Sequence, residues 1–137
     1  MKLEKYLWPI LFTFLVLLVL QFIPVLINPE LLTFNDRFIL GYFVGANNWA
    51  MIVLVAFSYF PILMLDRSND KIVRFSSTIL LASILSNLLD RVFRGGATDY
   101  ITIGHWPTFN VADVLIIVSI VLLAINFLSS NKKPRAN

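Results

Sequence analysis

The sequence predicts an all-α membrane protein with four transmembrane helices. A small extracytoplasmic element of β structure or amphipathic helix is expected after the first helix. Three observations lead to this fold class: the composition, four long apolar segments and the distribution of basic residues. Of the 137 residues, 58% are hydrophobic and only 14% are charged, whereas a soluble domain is nearer half apolar and about a quarter charged. A chain of this length has room for one domain, so we treat residues 1–137 as a single membrane domain whose apolar surplus faces lipid.

Four apolar segments have the length of membrane-spanning helices. Each is close to the roughly 20 residues needed to cross about 30 Å of hydrocarbon. Each is also apolar on all sides, as a lipid-embedded helix is. The predicted helices cover residues 7–27, 49–65, 72–89 and 111–128.

The basic residues are concentrated on one side of the predicted membrane. Eight of the 11 lysines and arginines flank the start of the first helix, the link between the second and third, or the end of the fourth. The positive-inside rule therefore predicts that both termini are cytoplasmic. Five of the eight acids then lie on the extracytoplasmic side: Glu30, Asp36, Asp90, Asp99 and Asp113.

Two outer loops differ in character. Residues 28–48 mix apolar and polar side chains. Because unpaired strand edges are not tolerated inside hydrocarbon, we expect this loop on the membrane surface as a short sheet, an interfacial helix or both. The second outer loop, residues 90–109, contains Gly95-Gly96, which permits a tight turn.

The residue inventory excludes several kinds of site. The chain has no cysteine and one histidine, which excludes a disulfide scaffold, a thiol nucleophile and a thiolate metal site and argues against a histidine metal cluster. We expect no metal, no cofactor and no nucleic-acid partner. His105 is interpreted as an interfacial or hydrogen-bonding residue, and Gln21 as one that bonds to a neighbouring helix or lines the site.

A polar cluster lies between the third and fourth predicted helices. An aspartate at a membrane helix centre costs about 2.5–3.5 kcal/mol, so a chain this apolar is not expected to hold such a cluster without a function. Asn87, Asp90 and Arg91 share one helix face, since they are spaced i, i+3, i+4. The cluster holds three acids, two asparagines and an arginine within 27 residues: Asn87, Asp90, Arg91, Asp99, Asn110 and Asp113.

Two acids of this cluster suit general acid–base chemistry. Two carboxyl groups held together at low dielectric share one proton, because both cannot ionise easily. Such a pair can activate a water as base and protonate a leaving amine as acid. This is the chemistry of an aspartic protease, and it needs neither a metal nor a thiol.

A purely structural interpretation is also open. Asn110 can cap the fourth helix, with Asp113 favourable in its first turn. Asp90 can pair with Arg94 at i, i+4, and Asp99 can be a turn residue after the glycines. Together these roles explain less well why the acids concentrate on one side.

The motifs closely resemble those of the bacterial lipoprotein signal peptidases, also called signal peptidase II. That resemblance implies an intramembrane aspartyl endopeptidase of the bacterial cytoplasmic (inner) membrane. It would remove the signal peptide from diacylglyceryl-modified prolipoproteins just before the lipidated cysteine. The matching residues, in order, are Asn87-x-x-Asp90-Arg91, then Asp99, then Phe109-Asn110-x-Ala112-Asp113.

The resemblance assigns a role to each residue. It makes Asp99 and Asp113 the catalytic dyad near the extracytoplasmic face. It implies a prolipoprotein substrate among membrane lipids, and we expect the protein to be a monomer. Asn35 and Gly41 align with the ends of a first-loop motif that, in the family, lies in a sheet and surface helix clamping the substrate. The residues that would order the site and the substrate are Asn87, Asp90, Arg91, Asn110 and Asn35.

Departures from the family pattern keep two other functions open. Ser86 replaces the glycine before Asn87, and Leu20-Gln21 stands where the family has an acid followed by glutamine in the first helix. Because this acid is missing, one alternative is an inactive relative that binds lipidated peptides without cutting them. A small four-helix transporter is the other, although helices one, two and four have no ionisable residue near their centres.

Overall fold

The computed structural model describes residues 4–35 and 47–131. It is a four-helix membrane protein with a small two-stranded sheet, as the sequence predicts, and all four helices are long and apolar enough to cross a membrane. Two short 3-10 turns, Ile23–Leu26 and Pro29–Leu31, follow the first helix. The helices are α1 (Glu4–Phe22), α2 (Asn47–Arg67), α3 (Lys71–Arg94) and α4 (Val111–Asn131); the strands are β1 (Thr33–Asn35) and β2 (Ala97–Asp99).

Helix α3 lies at the centre of the bundle and packs against α1, α2 and α4. Its most apolar stretch is 56% buried, against 22% or less for the other three helices. Small side chains let neighbouring helices approach closely, and Ser76, Ala82 and Ser83 of α3 are all fully buried. The most apolar helices therefore face lipid, and the most polar one occupies the interior.

Helix boundaries differ from the sequence prediction by a few residues. α3 continues to Arg94, five residues beyond the predicted end at residue 89. The apolar pattern stops at residue 89, but Arg91 and Arg94 suit the last turn because cations are favourable at a helix C-terminus. Gly95, at φ +78°, then ends the helix in the left-handed conformation, as glycine commonly does.

The two strands connect the two outer loops. β1 and β2 are antiparallel, with Thr33 opposite Asp99 and Asn35 opposite Ala97. The expectation of a short sheet after the first helix is thus confirmed. The structural alternative that made Asp99 a turn residue does not hold, because Asp99 is the last residue of a paired strand. The rest of the first-loop motif, including Asp36 and Gly41, lies outside the described residues.

The chain between β2 and α4 folds back on itself. Ile101 forms an antiparallel bridge with Phe109, and the Phe109 carbonyl accepts hydrogen bonds from the backbone N–H groups of Tyr100 (3.1 Å) and Ile101 (2.9 Å). This bridge returns the chain beside β2. It thereby positions Asn110, the residue before α4, next to Asp99.

Candidate active site

Asp113 is held at the start of α4 by a reciprocal cap. The Asp113 N–H donates to Asn110 Oδ1 (3.0 Å), and the Asn110 N–H donates to Asp113 Oδ2 (3.1 Å). This is the geometry of a capping box, in which two otherwise unpaired donors are satisfied. The capping interpretation of Asn110 is therefore right, and the cap also orients the Asp113 carboxyl group.

Helix α3 contributes the amide that contacts the second oxygen of Asp113. Asn87 Nδ2 donates to Asp113 Oδ1 at 2.8 Å. Asn87 Oδ1 in turn accepts from Asn110 Nδ2 at 3.0 Å. Both asparagines are buried, with 6% and 3% of their surface exposed. Because buried amides are costly unless hydrogen-bonded, this pairing defines the orientation of both side chains.

Asp99 receives two amide donors, one on each oxygen. Asn110 Nδ2 donates to Asp99 Oδ1 at 3.0 Å, and Asn35 Nδ2 donates to Asp99 Oδ2 at 2.9 Å. Asn35 reaches Asp99 across the sheet as a diagonal neighbour, a separation that long side chains can span. Asp99 is 3% exposed, and these two hydrogen bonds orient its carboxyl group.

A continuous hydrogen-bond chain therefore joins the two acids. It runs from Asp113 through Asn87 and Asn110 to Asp99, and ends at Asn35. Its members come from α3, α4, both strands and the residue that caps α4. Five of the seven predicted site residues thus meet in one network.

The surroundings of Asp99 favour its protonated form. Burial raises the pKa of Asp99 to about 6, with the negative charge of Asp113 acting in the same direction. The hydrogen bonds from Asn35 and Asn110 and the positive charge of Arg91 oppose this rise, because they stabilise the carboxylate. Asp99 is thus poised to gain or lose a proton near neutral pH, a property common at functional sites.

Arg91 supplies positive charge near both acids. Its guanidinium acts electrostatically on Asp99 and Asp113, and its Nη1 donates to the Asn35 carbonyl at 3.5 Å. The side chain is 7% exposed. Arg91 thus connects α3 to strand β1 and partly offsets the negative charge of the two carboxyl groups.

Asp90 has a different neighbourhood from the other predicted residues. Asp90 Oδ2 accepts from the buried Thr98 N–H at 3.0 Å. Asp90 Oδ1 accepts from Arg94 Nη1 at 2.7 Å and from Gln21 Nε2 at 3.1 Å. Asp90 therefore contacts the strand residue next to Asp99 rather than joining the chain between the two acids.

Three hydrogen-bond partners of Asp90 were not among the predicted site residues: Gln21, Arg94 and Thr98. Gln21 also donates to Ser86 Oγ at 3.0 Å, so the bond to a neighbouring helix expected for Gln21 is present. Arg94 also donates to Thr98 Oγ1 at 3.1 Å, which extends the simple i, i+4 pair with Asp90 to β2. The i, i+4 spacing of Asp90 and Arg94 predicted their contact, whereas nothing in the sequence indicated that Thr98 contacts Asp90.

Tyr100 and His105 lie in the segment between β2 and α4. The Tyr100 hydroxyl accepts from the Val111 N–H at 3.3 Å and so steadies the first turn of α4. His105 is exposed on the loop after β2. Within residues 4–35 and 47–131, no group of three or more histidine, cysteine or acidic side chains could hold a metal ion.

Known proteins with similar sequences are peptidases. The lipoprotein signal peptidase of Blochmanniella pennsylvanica is 36% identical over 105 residues, which cover 68% of this chain and 62% of that protein. The lipoprotein signal peptidase of Polynucleobacter necessarius is 38% identical over 85 residues, or 58% of this chain and 52% of that protein. The chain thus spans between about half and about three fifths of the length of these relatives.

Solved structures share the fold. One, described as a bacterial membrane enzyme studied by the in meso method, has a TM-score of 0.74 at 22% identity and covers 94% of this chain and 93% of its own. A second with the same description has a TM-score of 0.71 at 20% identity, covering 88% of this chain and 92% of its own. The sequence model of the signal peptidase (SPase) II family matches residues 20–129, which include all the site residues described above. This match shows that the chain belongs to the signal peptidase II family.

Proposed function

We propose that this protein is an intramembrane aspartyl endopeptidase. It removes the signal peptide from diacylglyceryl-modified prolipoproteins immediately before the lipidated cysteine. The observation that carries the proposal is the hydrogen-bond chain that joins Asp99 and Asp113 at one end of an apolar helix bundle. Membership of the signal peptidase II family supports the reaction type, and the two lipoprotein signal peptidases above support the substrate class.

The proposed mechanism uses the two carboxyl groups in complementary protonation states. Asp113 accepts a proton from a water, and the resulting hydroxide attacks the scissile carbonyl carbon while Asp99 gives its proton to the carbonyl oxygen. When the tetrahedral intermediate collapses, the C–N bond breaks and Asp113 passes its proton to the leaving amine. The carboxylic acid formed at the cleaved bond returns a proton to Asp99, so both aspartates regain their starting protonation states. Arg91 stabilises negative charge near the reacting oxygens.

The charge distribution supports a definite orientation in the membrane. Lys5, Arg67, Lys71 and Arg74 belong to the end of the bundle opposite Asp99. By the positive-inside rule this basic end is cytoplasmic, so the dyad faces the extracytoplasmic surface. That depth suits a substrate whose lipid lies in the outer leaflet while its peptide bond needs water. We propose that the chain acts there as a monomeric single domain.

Cleavage of a lipidated reporter tests the proposal directly. The purified protein is mixed with a diacylglyceryl-modified prolipoprotein and, separately, with the same polypeptide without lipid. We expect a gel shift corresponding to signal-peptide loss for the lipidated substrate only, with cysteine as the new N-terminal residue. Binding of the lipidated substrate without product would instead identify a non-catalytic relative.

The pH dependence of cleavage should respond to Asn35. Activity requires the shared proton, so it should fall as the pH rises through about 6, the pKa of Asp99. The Asn35 hydrogen bond favours the Asp99 carboxylate and lowers its pKa. Replacing Asn35 by Ala should therefore raise the pKa and move this alkaline limb upward by roughly one pH unit. The measurement is a pH profile of kcat/KM.

A neighbouring strand residue provides the control. Thr33 Oγ1 donates to the backbone carbonyl of Asp99 (3.1 Å), not to its carboxyl group. Thr33→Val disturbs the same strand but should leave the alkaline limb in place. If Asn35→Ala does not move the limb, or if Thr33→Val moves it equally, Asn35 does not tune the dyad.

A further inference from the structure

A groove lies at the basic end of the bundle, opposite the candidate active site. It has a volume of about 640 Å³, and its lining is almost entirely apolar. Residues of α1, α3 and α4 form it, with Trp8, Phe75 and Leu122 as its large apolar side chains. Trp8 stacks on Phe12 (5.3 Å between ring centroids), and Phe12 stacks on Phe75 (5.6 Å). The two outer members of this aromatic ladder, Trp8 and Phe75, form part of the groove wall.

Two cations stand at the polar end of this groove. Lys71 and Arg74 both line it, and neither is in an ion pair with any side chain of the described part of the chain. Arg74 donates instead to the carbonyls of Lys5, Leu65 and Ser68, which leave its charge in place. The nearby Asp70 carboxylate keeps its negative charge, with Oδ1 accepting from the backbone N–H groups that begin α3 and Oδ2 accepting from Asn126 Nδ2 at 3.5 Å. With Lys71 and Arg74 against Asp70, the polar end of the groove carries a net positive charge.

A buried hydroxyl also reaches this groove. Ser76 lines it, is 0% exposed, and its Oγ has no hydrogen-bond partner among the described residues. Ser76 is five residues beyond Lys71, which corresponds to about 7.5 Å along a helix. A buried hydroxyl without a hydrogen-bond partner lowers the stability of the folded protein. A ligand that places a hydrogen-bond acceptor beside Ser76 would remove this loss.

We propose that the groove binds an anionic glycerophospholipid. Its phosphate lies on Lys71 and Arg74, its ester carbonyl accepts from Ser76, and an acyl chain runs along Trp8, Phe75 and Leu122. Charge complementarity selects this occupant: an anionic lipid keeps a net negative charge beside the two cations, whereas a zwitterionic headgroup brings its own cation. A basic residue near the membrane surface attracts anionic lipid. The site is independent of peptidase chemistry.

Fluorescence of Trp8 provides the test. In a Trp49→Phe/Trp106→Phe background, Trp8 is the remaining tryptophan. The protein is placed in bilayers that contain brominated phosphatidylglycerol or brominated phosphatidylcholine with the same acyl chains. Bromine quenches tryptophan at contact, so quenching reports which lipid lies against Trp8, and a difference between the two lipids reports a preference of the groove. We expect phosphatidylglycerol to reach half-maximal quenching at an about fivefold lower mole fraction.

Two charge variants at the basic end of the bundle distinguish lipid binding in the groove from a general attraction of anionic lipid to surface charge. Lys71→Gln removes a cation that lines the groove, whereas Arg67→Gln removes an exposed cation at the end of α2 that does not line it. The preference should disappear in Lys71→Gln and persist in Arg67→Gln. Equal quenching by both lipids in the parent protein, or equal loss in both variants, would overturn the proposal. Absence of quenching by either lipid would do so too, because another segment would then fill the groove.

Discussion

Asp99→Asn and Asp113→Asn are each expected to lower the rate of prolipoprotein cleavage by at least about a thousandfold. A positioned acid or base contributes about 10²–10⁴ in rate, and loss of either carboxyl group leaves no pair that can share a proton. Asparagine keeps nearly the same shape, and the backbone contacts of the cap and the strand remain. One of the two N–H donors on each side chain loses its acceptor. The measurement is kcat/KM with the lipidated substrate.

A matched variant tests whether the loss of any acid at the dyad's end of the bundle lowers the cleavage rate. Glu30 is exposed in the second 3-10 turn, and Glu30→Gln should cleave at the parent rate. The two dyad variants should keep the parent helical content and bind the lipidated substrate. If either one cleaves within about tenfold of the parent protein, the assignment of that acid to the dyad is wrong.

Asp90→Ala is expected to produce the largest loss of stability. The substitution leaves the buried Thr98 N–H and the Arg94 guanidinium without their carboxylate. Removing one partner of a buried pair typically costs about 3–5 kcal/mol. Because the Arg94 side chain is 33% exposed, we expect the lower part of this range, about 3 kcal/mol. The measurement is the free energy of unfolding in mixed micelles.

Arg94→Ala separates the stability contributed by the ion pair of Asp90 with Arg94 from that contributed by the bond of Asp90 to the Thr98 N–H. It leaves the buried Asp90 carboxylate without its cation, while the Thr98 N–H and Gln21 Nε2 still donate to it, so it should cost about 2 kcal/mol. The double variant should be less destabilised than the sum of the single ones, since the two side chains interact. Equal costs for both single variants would show that the ion pair, and not the strand contact, determines the stability.

Local features of the site were predictable from short stretches of sequence. The spacing of Asn87, Asp90 and Arg91 places them on one helix face, and the Asn110-x-x-Asp113 pattern is that of a capping box. Both depend on contacts within one or two helical turns. Hydropathy likewise predicted four helices, because the membrane requires about 20 apolar residues for each crossing.

Contacts between distant segments were not predictable in the same way. Asn35 and Asp99 are 64 residues apart, and Gln21 and Asp90 are 69 residues apart. A three-residue strand such as β2 carries too little alternation to be recognised, so the sequence placed Asp99 only in the loop between the third and fourth helices. The family resemblance paired Asp99 with Asp113, but it did not indicate the amide chain between them or the role of Thr98.

The sequence by itself determined that this is a four-helix membrane protein with a polar cluster at one end. Unpaired polar backbone is excluded from hydrocarbon, so a long apolar segment that enters the membrane must form a helix. Composition and the length of the apolar segments are therefore enough to predict the four helices. Only the tertiary structure decided that Gln21 of α1 contacts Asp90, and that the sheet brings Asn35 to Asp99. These pairings arise because buried polar groups must find partners, and the available partners are set by which helices and strands pack together.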